Sequence, residues 1–391
     1  MKKVVFILVL IIFHLSSGQS LPLSEKAQIS VVTLGPDQNE LYAAFGHTAI
    51  RVYDSVQGID YAYNYGVFDF NQPNFYLNFT RGFLYYKLGV YSYPDFRKAY
   101  IYYNRFIHEQ VLNLTPEQKQ KIFDYLQWNS LPENQTYRYD YFYNNCATKV
   151  RDVFAEVLQE DITFDGSFIK TEYTIRELTD LYLSPLPWGD LGIDICLGLP
   201  MDKTATPYEY MFLPDYIESS FANANLKRDG NYIPLVKETV SVFESRPTEI
   251  EKSLFHPWIV FGGLFLLSTI LSYWDWKRKQ LSTWFDVTLF LVVGLIGVLL
   301  LFLWTATDHK AAATNFNLLW AFPLHVVAAF SLLKRASGKL LTYYFTATGF
   351  LLAATLLFWM FLPQQLNVFL IPIVLTLMIR SFLIGKLLRV I

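Results

Sequence analysis

Two regimes of hydrophobic and polar positions divide the chain. From about residue 20 to 220, short β-branched or aromatic runs are separated by polar turns, and those at 29–34, 48–53, 61–67 and 137–143 predict strands. Thr115-Pro116-Glu117-Gln118 reads as a helix start: Thr as cap, Pro in the first turn, and Gln closing a capping box. Ile122, Phe123 and Leu126 then keep helical spacing. A second helix is predicted from Cys146, after Asn144-Asn145 as turn and cap, with Val150, Val153, Phe154, Val157 and Leu158 on one face. Residues 221–254 are polar and mixed in charge, and read as a linker with one short amphipathic helix.

The second regime begins at Phe255. Apolar stretches fall at about 255–274, 284–306, 315–333, 340–362 and 366–385, each near the ~20 residues that cross a bilayer. They predict an all-α membrane domain of five transmembrane helices over 255–391. Lys277-Arg278-Lys279, Lys334-Arg335 with Lys339, and Lys386 with Arg389 follow the first, third and fifth stretches, whereas the loops between carry one lysine. By the positive-inside rule the first span enters the cytoplasm, which leaves the preceding domain outside and the C-terminus inside. Residues 1–19 agree independently: Lys2 and Lys3, an apolar core and a small-residue exit make a signal peptide pattern.

Composition fits this division. A mean hydropathy of +0.24 is too high for an ordinary soluble protein and too low for one embedded throughout. A net charge of −2 offers no electrostatic footprint for nucleic acid. The 27 tyrosines crowd the first half and suit sites that are apolar at one end and wet at the other. Two cysteines, Cys146 and Cys196, cannot alone complete a structural zinc site; no metal or cofactor is predicted.

Cys146 stands where a nucleophile is wanted. A helix N-terminus offers unpaired N–H groups and a positive dipole end, which favour thiolate over thiol. His47, after a glycine turn and at the mouth of a predicted strand, is the right residue type to take and return a proton. Two other readings stay open: Cys146 as a half-cystine paired with Cys196, and His47 as a packed or solvated histidine. Arg51 and Arg105 are candidates for a lipid phosphate, since guanidinium matches phosphate bidentately. His309 lies in an outer loop next to a span and is a candidate for docking the active domain or for head-group contact, while His325 inside the third stretch predicts helix packing.

The order histidine-on-strand, further strand, cysteine-at-helix resembles circularly permuted relatives of the papain and NlpC/P60 fold. More narrowly, GHTAIRV (46–52), YNYGVFDF (63–70), NRFIHEQVLNLT (104–115) and YFYNNCATKVRD (141–152) resemble the Lnb family of lipoprotein N-acyltransferases. MFLP (211–214) and TDHKAAATNFNLLW (307–320) extend the resemblance downstream. It implies an α+β fold: a permuted papain-like periplasmic domain over 20–220, then the membrane domain. It implies Cys146 as the acyl-accepting nucleophile, His47 as its base and Asn64 as the group that orients the histidine. The acyl donor would be membrane phospholipid, and the acceptor the α-amine of a diacylglyceryl-type lipoprotein's N-terminal cysteine, at the inner membrane. Two alternatives are a membrane-tethered cysteine peptidase or amidase acting on cell-wall peptides, and a non-catalytic lipid- or lipoprotein-binding scaffold.

Overall fold

The computed structural model describes residues 21–37, 40–68, 71–246, 255–334 and 338–389. The signal-peptide segment 1–19 lies outside the described residues.

The short apolar runs become strands of one antiparallel sheet. β1 (Gln28–Leu34), β2 (His47–Asp54) and β3 (Ile59–Val67) form its centre. Helix α1 (Phe75–Arg81), β4 (Leu84–Ser92), helix α2 (Tyr93–Tyr102) and β5 (Ile107–Leu112) follow. Helix α3 (Pro116–Asn129) starts at the expected capping box: Thr115 Oγ1 accepts from Gln118 N, and Gln118 Oε1 accepts from Thr115 N. The strand foreseen over 137–143 ends sooner, as β6 (Thr136–Tyr139). Asp140 is the cause: its carboxylate accepts from the backbone of Phe142 and Tyr143 at 2.9 and 3.0 Å and turns the chain. Helix α4 (Cys146–Leu158) then begins, capped by Asn145.

After β7 (Ile162–Thr163) come α5 (Ile175–Leu183), α6 (Pro187–Cys196), α7 (Pro207–Tyr210) and α8 (Pro214–Asn223). The stretch read as a linker differs from that expectation. Within 221–254 lie β8 (Asn225–Arg228), β9 (Asn231–Pro234) and β10 (Val236–Phe243), with no helix beyond the end of α8 among the described residues. β10 pairs with β5 as an edge of the large sheet, whose order is β10-β5-β1-β2-β3-β4-β6. Lys237 and Glu238 give that edge the charge that read as linker, as edge strands often carry.

Alternation along each central strand loads both faces. Ile29, Val31, Ile50, Val52, Tyr63 and Tyr65 bury against Val150, Val153 and Phe154 of α4 and Ile122, Phe123 and Leu126 of α3. Val32, Leu34, Ala49 and Ala62 face Tyr93 and Phe96 of α2.

The membrane region holds α9 (Pro257–Arg278), α10 (Thr283–Ala306), α11 (His325–Leu333), α12 (Lys339–Leu357) and α13 (Ile371–Leu387). Among the described residues four helices are long and apolar enough to cross a membrane; the third expected span is not one of them. Only nine of its residues are α-helical, about 14 Å of rise against a core of about 30 Å. Pro323 lacks the N–H a helix needs, and Asn315 and Asn317 spend their amides on the carbonyls of Asp194, Ile195 and Cys196 in α6. His325 is buried between helices, bonded to Tyr344 Oη at 2.6 Å and to the Trp320 carbonyl at 3.2 Å.

Loops at one end of this bundle are stitched to the sheet domain. Gly198 N donates to Ala311 O at 2.7 Å, Gln364 Nε2 to Leu197 O at 2.9 Å, and Asp308 N to Arg81 O at 2.9 Å. Buried Arg176 locks α5 to α6 through Asp194 and to the turn that follows α6 through Asp202. These are the loops poor in basic residues; Lys277, Arg278 and Lys279 lie at the other end of α9.

Candidate active site

Three elements bring three expected residues together. Gly46, at φ 79°, turns the chain into β2, so that His47 heads the strand. The register that sets Ile50 opposite Tyr63 brings Asn64 diagonally beside His47, and Asn64 Oδ1 lies 2.5 Å from His47 Nε2. Cys146 opens α4 and hydrogen-bonds His47. Its position is fixed by Asn145, whose Oδ1 caps Thr148 N at 2.9 Å while its Nδ2 donates to the carbonyls of Tyr141 and Phe212.

Gly66 lies against the pair. Its φ of +91° favours glycine, and a Cβ there would meet Cys146 Cβ at 3.4 Å and His47 Cε1 at 3.9 Å. On another side, Tyr100 stacks on the His47 ring, centroids 6.4 Å apart and planes 11° from parallel.

The electrostatics follow from this packing. Burial pushes the Cys146 thiol up, but the charge and hydrogen bond of His47, with backbone N–H bonds from Thr48 and Ala147, outweigh it and hold the thiol below its ordinary value. Burial pushes His47 down, yet the Cys146 charge and hydrogen bond, and then Asn64, leave it raised; the Arg105 charge opposes them. The pair therefore favours thiolate and imidazolium together, the state a sulfur nucleophile requires.

The dyad faces a cavity of about 670 Å³, within the range of small-molecule sites. Its walls are largely aromatic and aliphatic, including Phe68, Tyr86, Tyr139 and Phe212. The membrane domain supplies one wall, with Leu303 of α10 and residues 308–312.

His309 lines this cavity, its Nδ1 2.8 Å from Thr307 Oγ1 and its basicity lowered by burial. The two arginines stand elsewhere. Arg51 does not line the cavity; it is committed bidentately to Asp60 and Glu109, at 2.8–3.1 Å, over the Tyr93 ring. Two carboxylates hold the guanidinium as a brace across the sheet, away from the cavity. Arg105 donates to Gly35 O at 2.6 Å and covers Tyr100, so it reaches the dyad by its field and not by contact with the cavity. Cys146 and Cys196 are both free, which sets aside the half-cystine alternative, and Cys196 also lines the cavity.

Sequence reasoning missed the Thr48 N–H, which as a backbone group leaves no mark in composition, and the stacking of Tyr100. Beyond His309, nothing local marks Asp308 and 310–312 as residues that line the same cavity. One acidic cluster has metal-like spacing among the described residues: Asp180, Asp190 and Asp194, with ligand atoms within 4.8 Å. Asp194 is already bonded to Arg176 and Asn367, and Asp190 to Asn367, so the cluster serves as a joint between the domains. Burial and the neighbouring carboxylates push Asp180 up to about 8.

Comparison with known families adds to this geometry. Residues 24–181 match the model described as the Lnb N-terminal periplasmic domain, and residues 249–389 match the Lnb transmembrane domain. No curated protein and no solved structure matches the chain. The two matches make it a multi-pass membrane protein with a periplasmic domain ahead of its membrane helices.

Proposed function

This chain belongs to the Lnb family, and from that premise we propose that it is a lipoprotein N-acyltransferase working through a thioester on Cys146. The observation that carries the reading is the placement of Cys146 beside His47 in an apolar cavity that the membrane domain helps to wall. Phospholipid is the donor and the α-amine of a diacylglyceryl-type lipoprotein's N-terminal cysteine is the acceptor.

In the first step Cys146 sulfur bonds to the ester carbonyl carbon of the lipid. Backbone N–H groups at the start of α4 stabilise the oxyanion. The ester C–O bond then breaks, and the His47 proton passes to the departing lysophospholipid oxygen. In the second step the acceptor amine attacks the thioester, His47 takes the amine proton, and Cys146 leaves as thiolate. Atoms and charge balance with no cofactor. Asn64 accepts from Nε2–H of His47, which leaves Nδ1 to exchange the proton with sulfur. Apolar walls keep water from the thioester and so suppress a phospholipase side reaction.

The order of β2, β3 and α4 supports a permuted papain-like arrangement of histidine, asparagine and cysteine. Segment 315–333 supports a fifth pass in irregular form. It runs from the loops joined to the sheet domain towards Lys334, and its non-helical part around Trp320 and Ala321 is buried in protein, where such backbone is tolerated. With five passes after a periplasmic domain the C-terminus would be cytoplasmic and the membrane the inner one. A cell-wall peptidase would need neither the apolar cavity nor a wall from the membrane domain.

The test is Cys146→Ser in cells whose lipoproteins depend on this protein. The proposal predicts loss of the amide-linked chain from those lipoproteins; retention of that chain contradicts it.

A further inference from the structure

Helix α1 has no buried residue, yet it reads Phe-Tyr-Leu-Asn-Phe-Thr-Arg. Tyr76, Leu77 and Phe79 are 76%, 55% and 50% exposed. Isolated exposed apolar residues are ordinary, but three together on two turns of one helix form a patch of the kind that marks contact with a partner or a membrane.

Its position says which. Arg81 O, at the end of α1, accepts from Asp308 N at 2.9 Å, and Asp308 is two residues beyond the last residue of α10, a helix long enough to cross the membrane. The junction is tight: Gly82 sits at φ +80°, and a Cβ there would lie 2.9 Å from the Asp308 carbonyl carbon. Arg138 pairs with the Asp308 carboxylate and closes the joint from β6. The helix is therefore held at the level where α10 leaves the bilayer.

We propose that α1 is an interfacial helix, its Tyr76-Leu77-Phe79 face immersed in the outer leaflet of the membrane that the C-terminal helices span. Aromatic rings suit the head-group boundary, and Arg81 at the helix end suits the phosphate level. Phe79, Gly82 and Leu84 line the cavity together with Leu303. Immersion of α1 thus makes that rim of the cavity border lipid instead of water. The immersion stands on placement alone and does not depend on the acyl-transfer chemistry.

The experiment reads depth directly. Full-length protein carrying Cys146→Ser and Cys196→Ser, neither cysteine being in a disulfide, receives Leu77→Cys and a polarity-sensitive fluorophore. It is then reconstituted in phospholipid nanodiscs. Val56→Cys is the comparison: it is also apolar and 61% exposed, but lies past the far end of β2, about 25 Å of strand from His47. For immersion of 5–10 Å, doxyl-labelled lipid should quench the residue-77 label at least about threefold more than the residue-56 label, and aqueous iodide should reverse that order. Tyr76→Cys should repeat the pattern. Iodide access at 77 equal to that at 56, without lipid quenching, overturns the proposal. Protection from both quenchers also overturns it, because a protein would then cover the face.

Discussion

Asn64 Oδ1 lies 2.5 Å from His47 Nε2, and as a carbonyl oxygen it can only accept there. The neutral imidazole is thereby held with its proton on Nε2 and its Nδ1 free to take one from sulfur. Asn64→Ala removes this orientation without touching the reacting atoms. It should lower kcat for acyl transfer by up to about 100-fold, the scale of a small misplacement of a reacting group, with KM little changed. Steady-state kinetics in nanodiscs checks this, and a KM effect with unchanged kcat would assign Asn64 to substrate binding.

The dyad sets a pH window. A lowered thiol and a raised imidazole shift the pair towards thiolate beside imidazolium. Alkylation of Cys146 by iodoacetamide should therefore rise with pH and level off below the ordinary thiol value of 9.0. Cys196, pushed up by burial, should level off above it. The acyl-transfer rate should climb through the Cys146 ionisation and fall as His47 loses its proton at higher pH. His47→Ala leaves burial with less opposition, so the Cys146 alkylation midpoint moves up, and turnover falls by roughly 10²–10⁴-fold. Mass-resolved alkylation separates the two cysteines.

Asn145 carries the start of α4 through one cap and two carbonyl contacts. Asn145→Ala should cost about 2 kcal/mol, a lost N-cap plus buried carbonyls left short of a donor. Thermal unfolding of the full chain measures the loss. Cys146 alkylation should slow in the same variant, because the helix start no longer holds the sulfur against His47.

Arg380, buried in α13, bonds Asp286 at 2.6 and 2.7 Å, Asp275 at 2.7 Å and Ser272 at 3.1 Å, and so ties α9, α10 and α13 together. Arg380→Leu leaves two buried carboxylates without their cation and should destabilise the bundle by about 3–5 kcal/mol. Adding Asp275→Leu and Asp286→Leu should recover most of that loss. Unfolding in detergent distinguishes this from simple loss of packing, which the triple variant would not restore.

What the sequence made legible were features written in local pattern. The α3 capping box, the Asn145 cap, and strands β1 to β3 need only neighbours along the chain, and they formed where their residue types indicate. His47, Asn64 and Cys146 were named from residue type and family resemblance, but their contact is set by strand register and helix docking, which no local pattern encodes. β10 was hidden because its ladder partner, β5, lies more than 120 residues earlier and its charges mimic a linker. The third span read as helical by hydropathy, yet Asn315 and Asn317 bind α6 across more than 115 residues and hold the backbone out of a helix. The partners of Arg51 are hidden for a like reason: an arginine beside the site motif does not reveal that Asp60 and Glu109 hold it.

Intact-protein mass spectrometry after incubation with phospholipid, in the absence of acceptor, tests the acyl-transfer account at its centre. The account predicts one acyl-sized addition that maps to Cys146, is removed by hydroxylamine, and is absent from Cys146→Ser. An unmodified Cys146 in protein that still transfers the acyl chain, or an adduct on another residue, would contradict it.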